Sequence, residues 1–378
     1  MANEAVVPKI GLALSGGGSR AIAFHLGCLR ALNQFGLLDR IAVLSTVSGG
    51  SVIGAYFHAH QGDFPSFEAK IRDVLAQGLV KPMRGKVFGV RGIKIVAAFI
   101  VVGFVAACVA LVKLPAKCLS LIAPQWISSH WERLDIRSPL HRFASRTTLL
   151  EAALDEVLFT GACLNDLPRQ PHLVVNATEL RTGSAFRFGT LESGSWRWGK
   201  LHRNAVSVAH AVAASAAYPL FLPAFDETLT FDKGGELKNV RVILTDGGIY
   251  DNLGLGCLWP DRSEEVSLNV IPVDTIICCS AGYGLRQEPP SQFIFARVLS
   301  VFSTCLIARR TLRCTGCTRR GDPATSRASY FRISGNLTGN CRTLPPTSCA
   351  GRRPTPTPPI SAPCRTSGSS ASACAGNN

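Results

Sequence analysis

Hydrophobic and polar positions follow a repeating pattern over the first sixty residues. Ile10–Leu14 is a short continuous apolar run closed by Ser15, Gly16, Gly17 and Gly18. Ser19 then opens a stretch to about Phe35 in which Ile22, Leu26, Leu29 and Leu32 fall on one helical face, with Gly36 as the stop signal. Ile41–Leu44 is the next apolar run, followed by Ser45–Ser51 and a helical stretch from about Val52 to His60. Two strands joined through a helix predict a parallel sheet covered on both faces. The same texture resumes with a helix around Leu149–Leu158, strands at His172–Asn176 and Phe186–Phe188, and an alanine-rich helix at Val206–Ala217. A strand at Val240–Leu244 runs into Thr245-Asp246-Gly247-Gly248, and Val273–Cys279 is a further buried strand. The expected class is α/β with a mostly parallel central sheet.

Two segments break the pattern. Residues 64–146 read as an insertion, inside which Ile95–Val112 is an uncharged run of eighteen residues. Lys86, Arg91 and Lys94 precede it, and Lys113 and Lys117 follow. As a helix it would reach about 27 Å, just under a hydrocarbon core of about 30 Å. From about Cys305 the apolar periodicity stops, and residues 305–378 carry eight Pro, ten Thr, nine Ser, eleven Arg and seven Cys. A segment of this composition cannot offset its ordering entropy by burial, so a non-globular tail is expected behind a domain at 8–304. Its abrupt start, with no Lys or Glu and one Asp, has the texture of a shifted reading frame in a GC-rich coding region. As a native tail it would instead be a candidate for binding anionic lipid.

Composition changes the picture in two ways. The chain of 378 residues is 47% hydrophobic and 17% charged, enough for a sizeable core. The net charge of +15 is mostly tail: eleven Arg less Asp322 leaves +10 there and +5 for residues 1–304, so no nucleic-acid partner is inferred. Cys28, Cys108, Cys118, Cys163, Cys257, Cys278 and Cys279 lie mostly in apolar stretches, as free thiols do in a reducing compartment. With no secretory signal in Met1–Lys9, an intracellular protein is expected. Cys314 and Cys317 lack a second pair within reach, so a zinc site is not expected.

Three turns at strand ends carry candidate chemistry. Ser48 sits in Thr46-Val47-Ser48-Gly49-Gly50-Ser51, between a strand and a helix. A nucleophile elbow needs small residues around its serine, but a helix N-cap serine also fits this position. The turn Gly16-Gly17-Gly18 opens a helix and offers free amides, suited to a phosphate, a pyrophosphate or an oxyanion. Gly18 is followed by Ser19-Arg20-Ala21 rather than by a P-loop lysine, and no acid ends the second strand, so the oxyanion reading is preferred, with Arg20 favouring negative charge. Asp246 emerges from an apolar strand onto Gly247 and Gly248. No histidine follows Asp246, which excludes the order Ser, acid, His; the base is either an upstream histidine or Asp246 itself.

These residues resemble the patatin-like phospholipases. Gly11–Gly27 is similar to that family's glycine-rich oxyanion motif and Ser45–Gly54 to its nucleophile elbow. Asn176–Phe188, Ala211–Pro219 and Thr245–Gly254 match further blocks in the same order, over roughly residues 8–300. Thr46 departs from the glycine frequent at that point of the elbow. The resemblance implies a three-layer α/β/α fold and a Ser–Asp dyad that needs no histidine, metal or cofactor. Ser48 would be the nucleophile and Asp246 its base. Gly16, Gly17 and Gly18 would form the oxyanion hole, with Arg20, Gly49, Gly50, Gly247 and Gly248 in support.

The implied activity is hydrolysis of carboxylic esters in phospholipids or neutral lipids, in lipid metabolism or degradation. The alternative is a catalytically decayed, membrane-attached scaffold. Ser48 precedes the apolar run and Asp246 follows it, yet both must meet in one site. A single membrane crossing would separate them, and Leu119–Ile127, with Pro124, is too short for a second span. Ile95–Val112 is therefore either a buried helix or a segment that engages one leaflet. With bases at both ends, membrane engagement is preferred, giving a membrane-associated intracellular enzyme.

Overall fold

The structure is a computed structural model that describes residues 8–60, 62–78, 93, 97, 100, 104, 145–219, 221–259, 268–269, 271–282, 329–335 and 341–343. Strand β1 (Ile10–Leu14) is buried along its whole length and leads into helix α1 (Gly18–Gln34). Strand β2 (Ile41–Val47) leads in turn into helix α2 (Gly49–Ala59). Helix α3 (Phe64–Gln77) follows, capped by the Asp63 side chain on Ser66 N–H. Helix α4 (Arg146–Leu154) opens on a capping box between Ser145 and Thr148. Then come β3 (His172–Glu179), β4 (Ser184–Gly189), β5 (Gly194–Ser195) and β6 (Gly199–Leu201). Helix α5 (Val208–Ser215), strands β7 (Phe225–Lys233) and β8 (Glu236–Asp246), and the single turn α6 (Gly248–Asp251) complete the site region. Strands β9 (Thr275–Ser280), β10 (Ser329–Gly335) and β11 (Cys341–Thr343) close the sequence of elements.

All eleven strands join one sheet, ordered β11-β10-β9-β1-β2-β3-β4-β5-β6-β7-β8. The pairs β10–β9, β9–β1, β1–β2 and β2–β3 are parallel, as the strand–helix–strand pattern predicts. Beyond β3 every pairing is antiparallel, and β8 returns to pair with the end of β3, so that β3 to β8 close into a ring. The expectation of a mostly parallel sheet is thus corrected. Tight turns such as Gly234-Gly235 join consecutive strands in this half, and a tight hairpin permits only antiparallel pairing.

Alternate residues of the parallel strands face opposite ways. Leu12, Leu14, Leu44, Leu173, Val175, Ile277 and Cys279 join the larger core, under the helices. Ala13, Val43, Val174, Ile276 and Cys278 join a smaller one beneath Leu253–Leu258 and Val273. Among the described residues that second face is covered by this irregular segment rather than by a helical layer, so only two of the expected three layers are described.

Other sequence expectations also shift. Phe67, Ile71 and Val74 of α3 are buried in the main core, so residues 64–77 belong to the domain and not to an insertion. Of the apolar run 95–112, only Ala97, Ile100 and Phe104 are among the described residues. No helix among the described residues is long and apolar enough to cross a membrane. In the tail expected to be non-globular, Ser329–Gly335 pairs in parallel with Thr275–Ser280 and corrects that expectation locally. Its run Tyr330, Phe331, Arg332, Ile333 is rich in strand formers, which a composition taken over 74 residues conceals. Apart from Cys341–Thr343, which pairs antiparallel with Ser329–Gly335, the remaining tail lies outside the described residues. Cys28, Cys257, Cys278 and Cys279 are buried thiols that form no disulfide among the described residues, as expected.

Candidate active site

Leu14 lies opposite Thr46 in the β1–β2 register, so the turns following both strands emerge at one edge of the sheet. Asn176 of β3 lies opposite Val47, and Ala177 lies opposite Asp246 of β8. The strand pairing therefore brings together three segments far apart in sequence: the glycine turn, Ser48 and Asp246.

Ser48 adopts φ 51 and ψ −119, a conformation that costs a non-glycine residue about 1–3 kcal/mol. It occupies the N-cap position of α2, but its side chain makes no capping bond. Its hydroxyl acts instead on the Asp246 carboxylate, whose charged form it favours. The N-cap reading of this serine is thereby set aside. The sharp turn is possible because Gly49 and Gly50 let other backbone approach. A Cβ would lie 2.2 Å from Gly18 O at the first and 2.4 Å from Leu14 O at the second. The departure at Thr46 is absorbed inside α2: its methyl occupies the space where a Cβ on Gly54 would lie, 2.4 Å away.

Asp246 is 4% exposed. One carboxylate oxygen accepts Gly248 N–H at 2.6 Å, and the backbone N–H of Asp246 donates to Ala217 O at 3.1 Å. Burial pushes the carboxyl pKa up to about 6, against the opposing pull of the Ser48 hydroxyl and Gly248 N–H. A carboxylate poised near neutrality beside a serine hydroxyl is able to take that proton as the oxygen attacks.

Of the three glycine amides expected to face an oxyanion, one is engaged within the fold. Gly16 N–H donates to Asn252 O at 3.0 Å, so this amide is already committed to holding the turn in place. Gly17 and Gly18 lie at the start of α1, where amides have no partner within the helix, and their φ values of 152 and 64 strongly favour glycine. Arg20 lies in the first turn of the same helix. Gly247 donates its N–H to Ser215 O at 3.2 Å and so anchors the loop after Asp246.

No described histidine hydrogen-bonds Ser48 or Asp246. His25 bonds Ser15 O, His58 bonds Pro168 O, and His172 sits between Thr190 and Asn269. His210 lies between Glu151 at 3.3 Å and Glu227 at 3.1 Å. Burial disfavours its charge, but the two carboxylates outweigh that and raise its pKa to about 10. His210 therefore pins α5 to α4 and β7.

Sequence reading missed Ser215, Asn176 and Asn252 as parts of the site. The Asn176 side chain donates to Ser45 Oγ at 2.9 Å and Thr46 O at 3.0 Å, tying down the strand that presents Ser48. The one available signal for Ser215 was a lone hydroxyl in the alanine run 211–217.

Two solved structures and one family model are similar to this chain. VipD from Legionella pneumophila is 14% identical, with a TM-score of 0.35 over 90% of this chain and 64% of that one. Human GIVD cytosolic phospholipase A2 is 14% identical, with a TM-score of 0.43 over 74% of this chain and 46% of that one. The chain thus spans less than two thirds of either neighbour. No curated protein sequence matches it. The patatin-like phospholipase family model matches residues 12–259, a stretch that takes in the glycine turn, Ser48 and Asp246 and exceeds half of the chain; the protein belongs to the patatin-like phospholipase family.

Proposed function

We propose that this protein is a serine lipid acyl hydrolase that cleaves carboxylic esters of phospholipids or neutral lipids through a Ser48–Asp246 dyad. The observation that carries the reading is the Ser48 hydroxyl, which caps no helix, and its influence on a buried Asp246 carboxylate whose pKa is about 6. Ser48 Oγ attacks the ester carbonyl while its proton passes to Asp246. The oxyanion that forms meets Gly17 and Gly18 N–H, each well-aimed donor contributing about 3 kcal/mol. Asp246 returns the proton to the departing alkoxide, and the acyl group stays on Ser48. Water, deprotonated by Asp246, then releases the fatty acid and restores the hydroxyl. No step of this scheme calls for a metal or cofactor. Family membership supports a lipid as the acyl donor.

The test uses the full chain with a short-chain chromogenic ester and a fluorophosphonate. Ester turnover and covalent labelling of Ser48 are expected. A chain that does neither would be the decayed scaffold instead.

Membrane engagement by the region around residues 91–117 belongs to the same proposal. Ile93, Ile100 and Phe104 are 68%, 66% and 70% exposed, and their spacing of seven and four places them on one helical face. An exposed apolar stripe between basic residues suits insertion into one leaflet. Deleting Arg91–Lys117 is expected to move the protein from the membrane fraction to the soluble one while sparing hydrolysis of the soluble ester. Loss of folding would make the segment core and refute membrane engagement.

A further inference from the structure

We infer that Ser215 is a positioning residue for the nucleophile, holding the Ser48 backbone in its strained turn and tying that turn to the loop behind Asp246. The inference rests on the hydrolase reading and adds to it a residue that never touches substrate.

Ser215 is the last residue of α5 and is fully buried. Its hydroxyl lies 2.6 Å from Asn176 O, an atom that only accepts, so the single hydroxyl proton is spent there. The oxygen's lone pairs then face two donors. Ser48 N–H reaches it at 2.9 Å, and Ser51 Oγ, 2.8 Å away, must be the donor in that contact. The same residue's carbonyl accepts Gly247 N–H at 3.2 Å. Two residues further on, Ala217 O accepts both Asp246 N–H at 3.1 Å and Thr245 Oγ1–H at 2.7 Å. The free carbonyls at the end of α5 thus hold the strand that carries the carboxylate, while its terminal hydroxyl holds the amide of the nucleophile.

This arrangement addresses a definite mechanical problem. Ser48 lies in a backbone conformation that would relax if nothing opposed it. Residues 49–59 hold it from one side as a helix, but the helix's own bonds use the Ser48 carbonyl, through Ser51 and Val52 N–H, and leave its N–H open. Ser215 is the partner that fixes this amide, and with it the direction in which the Ser48 side chain leaves the backbone. The hub has rigid support: His210, about one and a half turns earlier on α5, is clamped between Glu151 and Glu227. A hydroxyl is required because a single small group must donate once and accept twice. Alanine at 215 would take from Ser48 N–H, Ser51 Oγ and Asn176 O their bonds to this hydroxyl and free the turn to drift.

The experiment compares Ser215→Ala and Ser215→Thr in the full chain, using the chromogenic ester, fluorophosphonate labelling rate and melting temperature. Ser215→Ala should lower kcat about 30-fold and slow labelling by a similar factor, because misplacement by a fraction of an ångström is enough for that loss. KM should stay within about twofold, since ground-state binding is untouched. The acid limb of the pH profile should not move, as Ser215 does not contact the carboxylate. Ser215→Thr, which keeps the hydroxyl, should recover most of kcat even where its added methyl lowers the melting temperature. The inference is overturned by wild-type kcat in Ser215→Ala. It is equally overturned if both variants lose activity only in proportion to lost stability, which would leave Ser215 a packing residue. A wild-type chain inert to ester and fluorophosphonate alike would instead refute the hydrolase reading on which the inference stands.

Discussion

Ser48→Ala is expected to reduce ester hydrolysis by about five orders of magnitude, to near the uncatalysed background, because a dyad has no second group able to form the acyl intermediate. The fold should survive the change. The Ser48 hydroxyl caps no helix, and the group it acts on is the Asp246 carboxylate. The alanine would keep φ near 51, and the N–H bond to Ser215 would remain, since it involves only the backbone of residue 48. The melting temperature should therefore change little while activity and fluorophosphonate labelling disappear together. Equal turnover by wild type and Ser48→Ala would mean that the measured ester cleavage does not pass through this site. Removing the hydroxyl also removes an interaction that favours the charged carboxylate. Asp246 in this variant should hold its proton to a higher pH than in the wild type.

The parallel half of the sheet was legible because it obeys simple periodicity. Ile10–Leu14 and Ile41–Leu44 are continuous apolar runs, and α1 shows its buried face at Ile22, Leu26, Leu29 and Leu32. Glycine turns at strand ends then singled out Ser48 and Asp246 as candidates, and the family resemblance implied their roles. The antiparallel half was less legible. Strand β7 does alternate, with Phe225, Leu229 and Phe231 on one face, but Asp226, Glu227 and Asp232 make it read as a polar connection. Arg241 in fact pairs with Asp226 across the β7–β8 ladder, which is how that strand tolerates its charge. Helix α3 carried a plain signal in Phe64, Phe67, Ile71 and Val74, lost only because it borders the insertion.

The supporting atoms of the site were not legible, for a physical reason. Periodicity reports side-chain burial, whereas Gly16, Ser215 and Ala217 act through backbone N–H and C=O groups or through a hydroxyl in an otherwise apolar helix. Nothing in Gly16-Gly17-Gly18 distinguishes the amide that bonds Asn252 from the two that remain. That distinction requires the α6 turn to be docked against β1, a contact over more than two hundred residues of sequence.

Asp246→Asn separates catalysis from stability more sharply than any other substitution here. Asparagine keeps an oxygen for Gly248 N–H and nearly the same volume, but it cannot take the Ser48 proton. Hydrolysis should fall by about three orders of magnitude or more. Stability should move the other way. The buried carboxyl titrates at about 6 when folded, against 3.8 ordinarily. Between these values the unfolded chain gives up the proton and the folded chain retains it, so wild-type stability declines as the pH rises through this window. Above it the buried charge costs the folded state about 2–3 kcal/mol, at roughly 1.4 kcal/mol per pH unit. Asp246→Asn has no such slope. It should melt well above wild type at pH 8, and the two melting temperatures should converge near pH 4. Wild-type kcat/KM should rise with unit slope to a plateau above about pH 6, the value at which Asp246 becomes a base. An Asp246→Asn variant that keeps both its activity and that acid limb would assign the base to another group. One that melts lower than wild type at pH 8 would show that the carboxylate charge is stabilised by its surroundings, contrary to the burial that raises its pKa.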